Sequence, residues 1–468
     1  TFPSLESSDT VSTQKAVTSD AASLLFTEKH ITSDLTLPTI GASGTTISWK
    51  SSNPSVLSNE GKVTRPKKGA ADEEVTLKGT VKMGDYAKAR KFAFVVLAES
   101  EMGPTKEFAL DQVELLDDYY LTAQNSDIEF LKKFDNDRLL SRFRETAGLD
   151  TKKIAPYGGW EDGWLGGHSV GHYLTAIAQA VKATGNADLK EKSKQLIKGL
   201  AECQNKLGTG FIFGAKIETE GYVEKQFDIL EGKTTGKTWV PWYNMHKMLT
   251  GLVDTYKYIG NKQALEVAKK LGDWIYNRVS KWDAGTQGRV LGTEYGGMND
   301  CLYELYLCTR DSKHLEAAHK FDEPNLYKTV AKGGKNCLNG KHANTTIPKF
   351  LGALKRYVVL EQTGELTKDD EAYLTNVEKF FDIAVTRHAY ITGGVSVMEH
   401  FRKDNNQDGT RTQTNCESCC AHNMLKMAKE LYKVTGDKKY ADYYETTLRN
   451  SIMGAVKSES GAAMSKNF

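Results

Sequence analysis

The sequence predicts a mainly α protein, an (α/α)6 toroid preceded by a small N-terminal β-sandwich. Three observations carry that reading: a change of texture near residue 100, a helical-hairpin phrase that recurs after it, and loops between the hairpins that hold the unusual residues. Residues 1 to about 100 read as β structure. "TTISWKSS", "EEVTLKGTVKM" and "RKFAFVVLA" alternate or cluster β-branched and aromatic residues, and "GASG", "SSNPS", "NEGK" and "KKGA" bound them as turns. Several short strands separated by such turns predict a small sandwich. The stretch "AESEMGPTKEF" (98–108) reads as a linker.

From about residue 106 the phrases "KATGNADLKEKSKQLIKGL", "YIGNKQALEVAKKLGDWI", "CTRDSKHLEAAHKF", "QTGELTKDDEAYLTNVEKFFDIAV" and "VTGDKKYADYYETTL" share one layout. Each ends a helix, turns through glycine or a polar pair, and starts another helix. The glycine supplies a left-handed cap, and the polar residue after it caps the next helix. The turns fall near 185, 260, 310, 364 and 436, which leaves room in each interval for a helical hairpin plus a long loop. Stacked hairpins form either an open solenoid or a closed ring. Because the long loops carry the chemistry-bearing residues, a ring with one functional face is expected.

Bulk properties exclude several classes. The chain has 468 residues, 26% of them charged, with a net charge of +2, so no strong field points to nucleic acid or an anionic membrane. Mean hydropathy is −0.49, and no apolar run approaches the ~20 residues a spanning helix needs. The chain opens at Thr1 without a methionine, as a processed or trimmed protein would. Its seven cysteines lack the spacing of a disulfide framework. Cys203, Cys301, Cys308 and Cys337 stand singly and read as buried small hydrophobes. Cys416, Cys419 and Cys420 crowd the start of an amphipathic stretch, "TNCESCCAHNMLKMAKELY" (414–432). Disulfide, metal site, reactive thiol and core packing compete there.

The loops ahead of the helices hold the candidate site. "YGGWEDGWLGGHSVGHYLTAIAQA" (157–180) places His168 and His172 four residues apart on one helical face. That spacing suits a metal pair and equally suits polar residues lining a cleft. "WVPWYNMHKMLTGLVDTY" contributes Tyr243 and His246, "LGTEYGGMNDCLYELY" Glu294 and Asn299, and "LNGKHANTTIPKFLGAL" His342 and Asn344. "YITGGVSVMEHFRKDN" presents Glu399, and Glu417 and Cys419 follow eighteen and twenty residues later. Each motif alone is weak, but in a ring these loops would converge on one mouth.

Two resemblances sharpen the reading. "ISWKSSNPSVLSNEGKVTRP" resembles the bacterial immunoglobulin-like modules appended to secreted, surface-acting enzymes. "FDNDRLLSRFRETAGL", "YGGWE", "GHSVGHYLTAIA", "VPWYNMHKMLTGL", "TEYGGMND", "HANTTIPK", "TGGVSVMEHF", "ESCCAHNMLKMAKELY" and "YADYYETTLRNSIM" occur in this order. Together they resemble the β-L-arabinofuranosidase superfamily, glycoside hydrolase families 127 and 146, and look closer to the latter. The implied layout is an Ig-like domain over 1–100, an (α/α)6 barrel over 106–455, and the start of a truncated or missing C-terminal β-domain over 456–468. The resemblance implies a retaining, zinc-assisted exo-glycosidase with a cysteine thiolate nucleophile, acting on arabinose-containing plant oligo- or polysaccharides. Glu399 then matches the general acid/base, and Glu417 and Cys419 match two ligands of a Zn2+ ion. His246 and His342 match sugar contacts, while His168, His172, Tyr243, Glu294 and Asn299 would complete the pocket.

The family's nucleophile lies in a second Cys-Cys pair at the start of the β-domain, which this chain lacks and which is expected beyond Phe468. Cys420 occupies a position where the family usually has no cysteine, so it is not taken as the nucleophile. Two other readings stand beside this one. A non-catalytic glycan-binding toroid needs no nucleophile. Another zinc-thiolate α-toroid, such as a lanthionine-cyclase-like catalyst, would use Cys420 and His422 as ligands, and "GHSVGHY" and "HANTTIPK" argue against it. A secreted or cell-surface bacterial location, with no nucleic-acid partner and no membrane span, follows from the resemblances and the composition.

Overall fold

The computed structural model describes residues 8–26, 30–31, 34–67, 70–96, 98, 105, 107–215 and 222–455. Residues 456–468, where a further β-domain was expected to begin, lie outside them, as does most of the expected linker. The chain divides into two compact units, one from residues 1–105 with 435–437 and one from residues 106–434 with 438–468.

In the first unit, helix α1 (Ser8–Ser23) precedes strands β1 (His30–Ile31), β2 (Thr46–Ser51), β3 (Glu73–Met83) and β4 (Tyr86–Val96). They form one sheet in the order β1-β4-β3-β2. β2, β3 and β4 pair antiparallel, with Thr46 opposite Lys82 and Met83 opposite Tyr86, while β1 runs parallel to β4. The three longer strands fall where the alternation placed them. The helix does not: residues 8–23 were read with the β region, and they are α-helical. Their Ser/Thr-rich sequence hides the helical signal, which resides in Val17 and Ala21 at i and i+4 and in Leu24 at i+7, just past the last turn. These three are buried in one core with Ile47, Leu77 and Phe94 of the sheet. α1 therefore supplies part of the layer that faces the sheet.

The second unit is the ring. Its helices pair as α2 (Asp118–Lys132) with α3 (Asn136–Thr146), then α4 (His168–Thr184) with α5 (Ala187–Leu207). After the short α6 (Lys225–Leu230), α7 (Pro241–Ile259) pairs with α8 (Lys262–Val279). Beyond α9 (Ala284–Leu291), α10 (Met298–Thr309) pairs with α11 (Ser312–His319). Beyond α12 (Pro324–Ala331), α13 (Ala343–Thr363) pairs with α14 (Glu371–His388), and α15 (Ser418–Thr435) with α16 (Lys438–Thr447). The first helices of the hairpins make the inner layer, where α4 packs on α7, α7 on α10 and α10 on α13. The second helices make the outer layer, where α5 packs on α8 and α8 on α11. Side chains of α13, α14, α15 and α16 share a single core that includes Phe350, Phe380, Met424 and Tyr440.

The hairpin turns follow the sequence rule closely. Gly185 and Gly260 adopt φ of 69° and 74°, and the Asn186 and Asn261 side chains accept the backbone N–H of Leu189 and Ala264. At the α10–α11 turn the left-handed position is held by Arg310, with φ 57°, and Asp311 caps the next helix. An ion-pair belt runs around the inner layer. Thr175 of α4 bonds Asp254 of α7, Lys257 of α7 and Lys355 of α13 both meet Glu304 of α10, and Lys355 reaches Glu430 of α15. Lys429 and Lys433 of α15 then pair with Glu107, ahead of α2.

Glycine lets two backbones of the inner layer approach closely. A Cβ on Gly171 would lie 2.1 Å from the Lys247 carbonyl oxygen, and one on Gly251 would lie 2.6 Å from that of Gly171. The α4 and α7 backbones therefore touch, which brings the His172 turn beside the His246 turn. Gly171→Ala should cost ~1–3 kcal/mol through overpacking, although alanine alone favours a helix over glycine by ~0.8–1 kcal/mol. Arg310→Gly should instead gain about 0.5–1 kcal/mol, the left-handed strain of a side chain less the backbone freedom of glycine. Urea denaturation of both variants checks the two signs; a stabilising Gly171→Ala would mean that the backbones do not touch.

Candidate active site

The long loops enter the inner helices at one end of the ring, and the side chains there serve two purposes: they satisfy helix N-termini and they face the cavity. Gly167, with φ 90°, precedes α4, and the Glu161 carboxylate accepts the N–H groups of Gly167 (2.6 Å) and Ser169 (3.0 Å). Burial pushes the Glu161 carboxyl up, but His168 and the two N–H groups outweigh it and hold the group below its ordinary range. Glu161 also lies 2.9 Å from His168 Nδ1, which is 2.7 Å from the Leu165 carbonyl. Two acceptors at Nδ1 place a proton there. His168 meets the rings of His172 and Tyr243 at 6.0 and 6.2 Å.

His246 is nearly sealed, and its Nδ1 accepts the N–H of Gly297, the residue before α10, at 3.0 Å. Burial, together with Lys247 and Lys426, holds the ring neutral, so its proton sits on Nε2. His342 caps α13 in the same way, its Nδ1 accepting the Thr345 N–H at 3.1 Å, and its Nε2 lies 3.0 Å from Glu399 Oε2. The hydrogen bond to Glu399 raises His342 above its ordinary value and lowers Glu399 below its own. The cap opposes full protonation of His342, because Nδ1 cannot accept an N–H once protonated. Glu399 itself sits at φ 59°, with Ser396 and Met398 also at positive φ, and its carbonyl accepts the Ala343 N–H. This backbone tie fixes Glu399 against the start of α13.

Glu417 caps α15, its two oxygens accepting the N–H groups of Cys419 and Cys420, each at 3.1 Å. Burial pushes the Cys419 thiol up to about 12, and the Glu417 charge adds to it while Lys247 opposes it. His172, Cys419 and His422 all keep exposed surface, yet burial is the largest influence on each. Solvent contact combined with protein on almost every side marks the wall of a deep cavity. His172 falls well below its ordinary value and His422 falls to about 4, so both are neutral imidazoles at neutral pH. Tyr243 is raised by burial and by the charges of Cys419, Glu294, Glu417 and Glu399, which places all five in one electrostatic neighbourhood. Burial raises Glu294 as well, against the pull of His342 and Thr345.

The structure thus gathers His168, His172, Tyr243, His246, Glu294, His342, Glu399, Glu417 and Cys419. Asn299 departs from the expectation. It is wholly buried, its amide donates to Asp322 and Tyr327, and it packs against Gly352 where α13 crosses α10. It is a core residue, turned away from any ligand in the cavity. Cys420 is also fully buried, in the core shared by α13 to α16, and its thiol is pushed far up.

Two cavity residues escaped the sequence reading, Glu161 and Lys247. The Lys247 ammonium lies 4.7 Å over the Tyr243 ring, and burial lowers it to about 8. A separate groove of about 650 Å³, edged by Lys132, Arg144, Lys192 and Lys198, contains none of the expected residues.

Glu417 and Cys419 suit a cation, since the carboxylate disfavours a thiolate beside it and a cation between them would offset that repulsion. Among the described residues no third ligand-type atom joins them within 4.8 Å; the one group of three at that spacing is Asp273, Asp311 and His314, on the outer helices.

The profile of the β-L-arabinofuranosidase, GH127 catalytic domain matches residues 112–465. The chain belongs to this family. Residues 17–99 match the atrophied bacterial Ig domain. Two solved GH127 enzymes have similar structures. One is a β-arabinofuranosidase at 19% identity and a TM-score of 0.55, covering 77% of this chain and 56% of its own. The other is a β-L-arabinofuranosidase from Geobacillus stearothermophilus T6 at 16% identity and a TM-score of 0.52, covering 72% of this chain and 55% of its own. At these identities the likeness speaks for the toroid fold, and the chain spans little more than half the length of either GH127 relative. A search of curated proteins gives no match.

The Glu417–Cys419 pair gives a direct test of this electrostatic picture. In metal-free protein, alkylation of Cys419 should be slow at pH 7 and rise about tenfold per pH unit towards 12, because only the thiolate reacts. Glu417→Gln removes the neighbouring charge while keeping an acceptor for the helix cap, and should speed alkylation at fixed pH by ~3–10-fold. Quantifying the Cys419 peptide by mass spectrometry checks it; an unchanged rate would mean that the carboxylate does not govern the thiol.

Proposed function

We propose that this chain is the catalytic toroid of a retaining exo-glycosidase that releases terminal β-L-arabinofuranose from plant glycans. The observation that carries the proposal is the convergence, in a chain of the GH127 family, of neutral imidazoles, carboxylates and a thiol on one cavity. His172, His246 and His342 would meet the sugar, with Nε2–H of His246 as a donor to a hydroxyl and the His342–Glu399 pair beside it. Tyr243 and Glu294 would line the same subsite, and burial keeps the tyrosine hydroxyl protonated as a donor.

Glu399 would act as general acid and then as general base. At rest the His342 hydrogen bond favours its carboxylate, the form that later takes a proton from water. A bound sugar strips water from the carboxyl and raises it, favouring the form that protonates the departing oxygen. Glu417 and Cys419 would hold zinc as two of its ligands. Zinc, when bound, supplies the positive charge that keeps thiolates ionised at neutral pH. The nucleophile, by family resemblance, would be a cysteine thiolate of a second Cys-Cys pair, which is not among the residues of this chain. The Ig-like module supports a secreted or cell-surface bacterial enzyme, and among the described residues no helix is long and apolar enough to cross a membrane.

A second reading, a glycan-binding toroid without turnover, draws on one observation. Without a cation, Cys419 near 12 is a thiol and Glu399 is a carboxylate, so neither group is poised for the first step. A sugar that binds and is never hydrolysed would select that reading.

Glu399→Gln in the active protein should lower turnover of substrates with poor leaving groups by ~10²–10⁴, and spare those with acidic leaving groups. Equal losses on both series would assign Glu399 a structural role. Zinc retained after dialysis should fall in Cys419→Ala, read by elemental analysis. Cavity zinc that survives the substitution unchanged would remove Cys419 from the ligand set.

A further inference from the structure

We propose that Asp273, Asp311 and His314 form a second divalent-cation site, one that staples two neighbouring hairpins of the outer layer and is independent of the cavity. Asp273 belongs to α8, Asp311 caps α11, and His314 lies in the first turn of α11. One ligand atom from each lies within 4.8 Å of the other two.

The hydrogen bonds around His314 leave a lone pair with nothing to bind. The ring is fully buried, at 0% exposure. Its Nδ1 is 2.7 Å from Thr309 Oγ1, whose own proton goes to the Leu305 carbonyl at 3.0 Å. With the Thr309 proton placed there, Nδ1 donates to Oγ1 and Nε2 carries the lone pair. Nε2 makes no hydrogen bond, and neither does Asp273 Oδ1; both atoms are buried and lie 3.8 Å apart. A bare imidazole lone pair facing a carboxylate oxygen is repulsive, and burying two unpaired polar atoms is costly. A cation between them resolves both.

Burial lowers His314 despite the pull of Asp311 and Asp273, so the ring is in the neutral form that ligates. The Lys269 carbonyl also approaches and favours a charged ring, but too weakly to reverse that balance. Ligands ~2.0–2.2 Å from a tetrahedral metal stand roughly 3.4 Å apart, so Asp273 and His314 need close by only a few tenths of an ångström. Lys313 Nζ, 3.8 Å from Asp273 Oδ1, is the competing partner, and both side chains are about half exposed. One imidazole with two carboxylates suits borderline ions such as Zn2+, Co2+ or Mn2+ rather than Ca2+, which wants six to eight oxygens. The exposed side of Asp273 leaves room for water to complete the shell.

The full chain carrying Cys419→Ala, which disables the cavity pair, is loaded with Co2+ and dialysed. It should retain about one equivalent with the visible absorption of a nitrogen–oxygen site, and excess Zn2+ should raise its unfolding midpoint. Asp273→Asn in that background, a conservative change at a half-exposed residue, should abolish both signals, and His314→Gln should do the same if it folds. No retained metal in the Cys419→Ala chain, or equal retention after Asp273→Asn, would overturn the proposal.

Discussion

The first turn of an α-helix has backbone N–H groups with no partner inside the helix, and in this ring several inner helices begin at the same cavity. That constraint governs the site. Glu161 satisfies α4, His246 the residue before α10, His342 α13 and Glu417 α15. Each of these side chains is tied by the backbone it caps, which fixes where it points and in which form. A carboxylate at a helix N-terminus is held in its charged state by the dipole and the N–H groups. An imidazole that accepts a backbone N–H through Nδ1 must present Nε2–H to the other side. The cavity chemistry is therefore largely a by-product of ending the loops correctly.

Charge is distributed on the same principle. Glu399 falls because His342 donates to it, and Cys419 rises because it is buried, with the Glu417 charge adding to the effect. Lys247 counters part of that negative charge, and burial brings it to about 8, near enough to neutral pH that its own state responds to what enters the cavity. Further along the inner helices, Glu304 binds two lysines from its neighbours and drops far below its ordinary value. Such a buried network is costly to break at any one member, so it serves to keep the inner helices in register under a cavity full of polar groups.

Much of this was legible in the sequence wherever the signal was local. The Gly-Asn and Gly-Asp turns announced the hairpins because a left-handed glycine and a capping side chain act within a few residues. Long alternating strands were equally plain. Helix α1 was missed because its core residues Val17 and Ala21, with Leu24 just past its end, are diluted by serine and threonine. Asn299 was grouped with Glu294 because both sit in one motif, yet five residues further on it has turned into the α10–α13 packing, where Gly352 makes room for it. Glu161 and Lys247 lay in quoted motifs without a distinguishing pattern; their importance comes from contacts with Gly167, Ser169 and Tyr243 that only folding creates. The same holds for Asp273 and His314, which lie 41 residues apart in sequence and meet where α11 packs on α8.

One consequence of the capping arrangement concerns how occupancy of the cavity would be felt elsewhere. The oxygens of Glu417 that could ligate a cation are the ones that hold the Cys419 and Cys420 amides, and the His342 ring that could meet a sugar holds the Thr345 amide. A ligand that draws on those lone pairs loosens the amides. One that merely orders the side chains tightens them. Hydrogen–deuterium exchange at these three backbone positions thus becomes a built-in gauge of which groups a bound molecule engages, legible without any turnover at all.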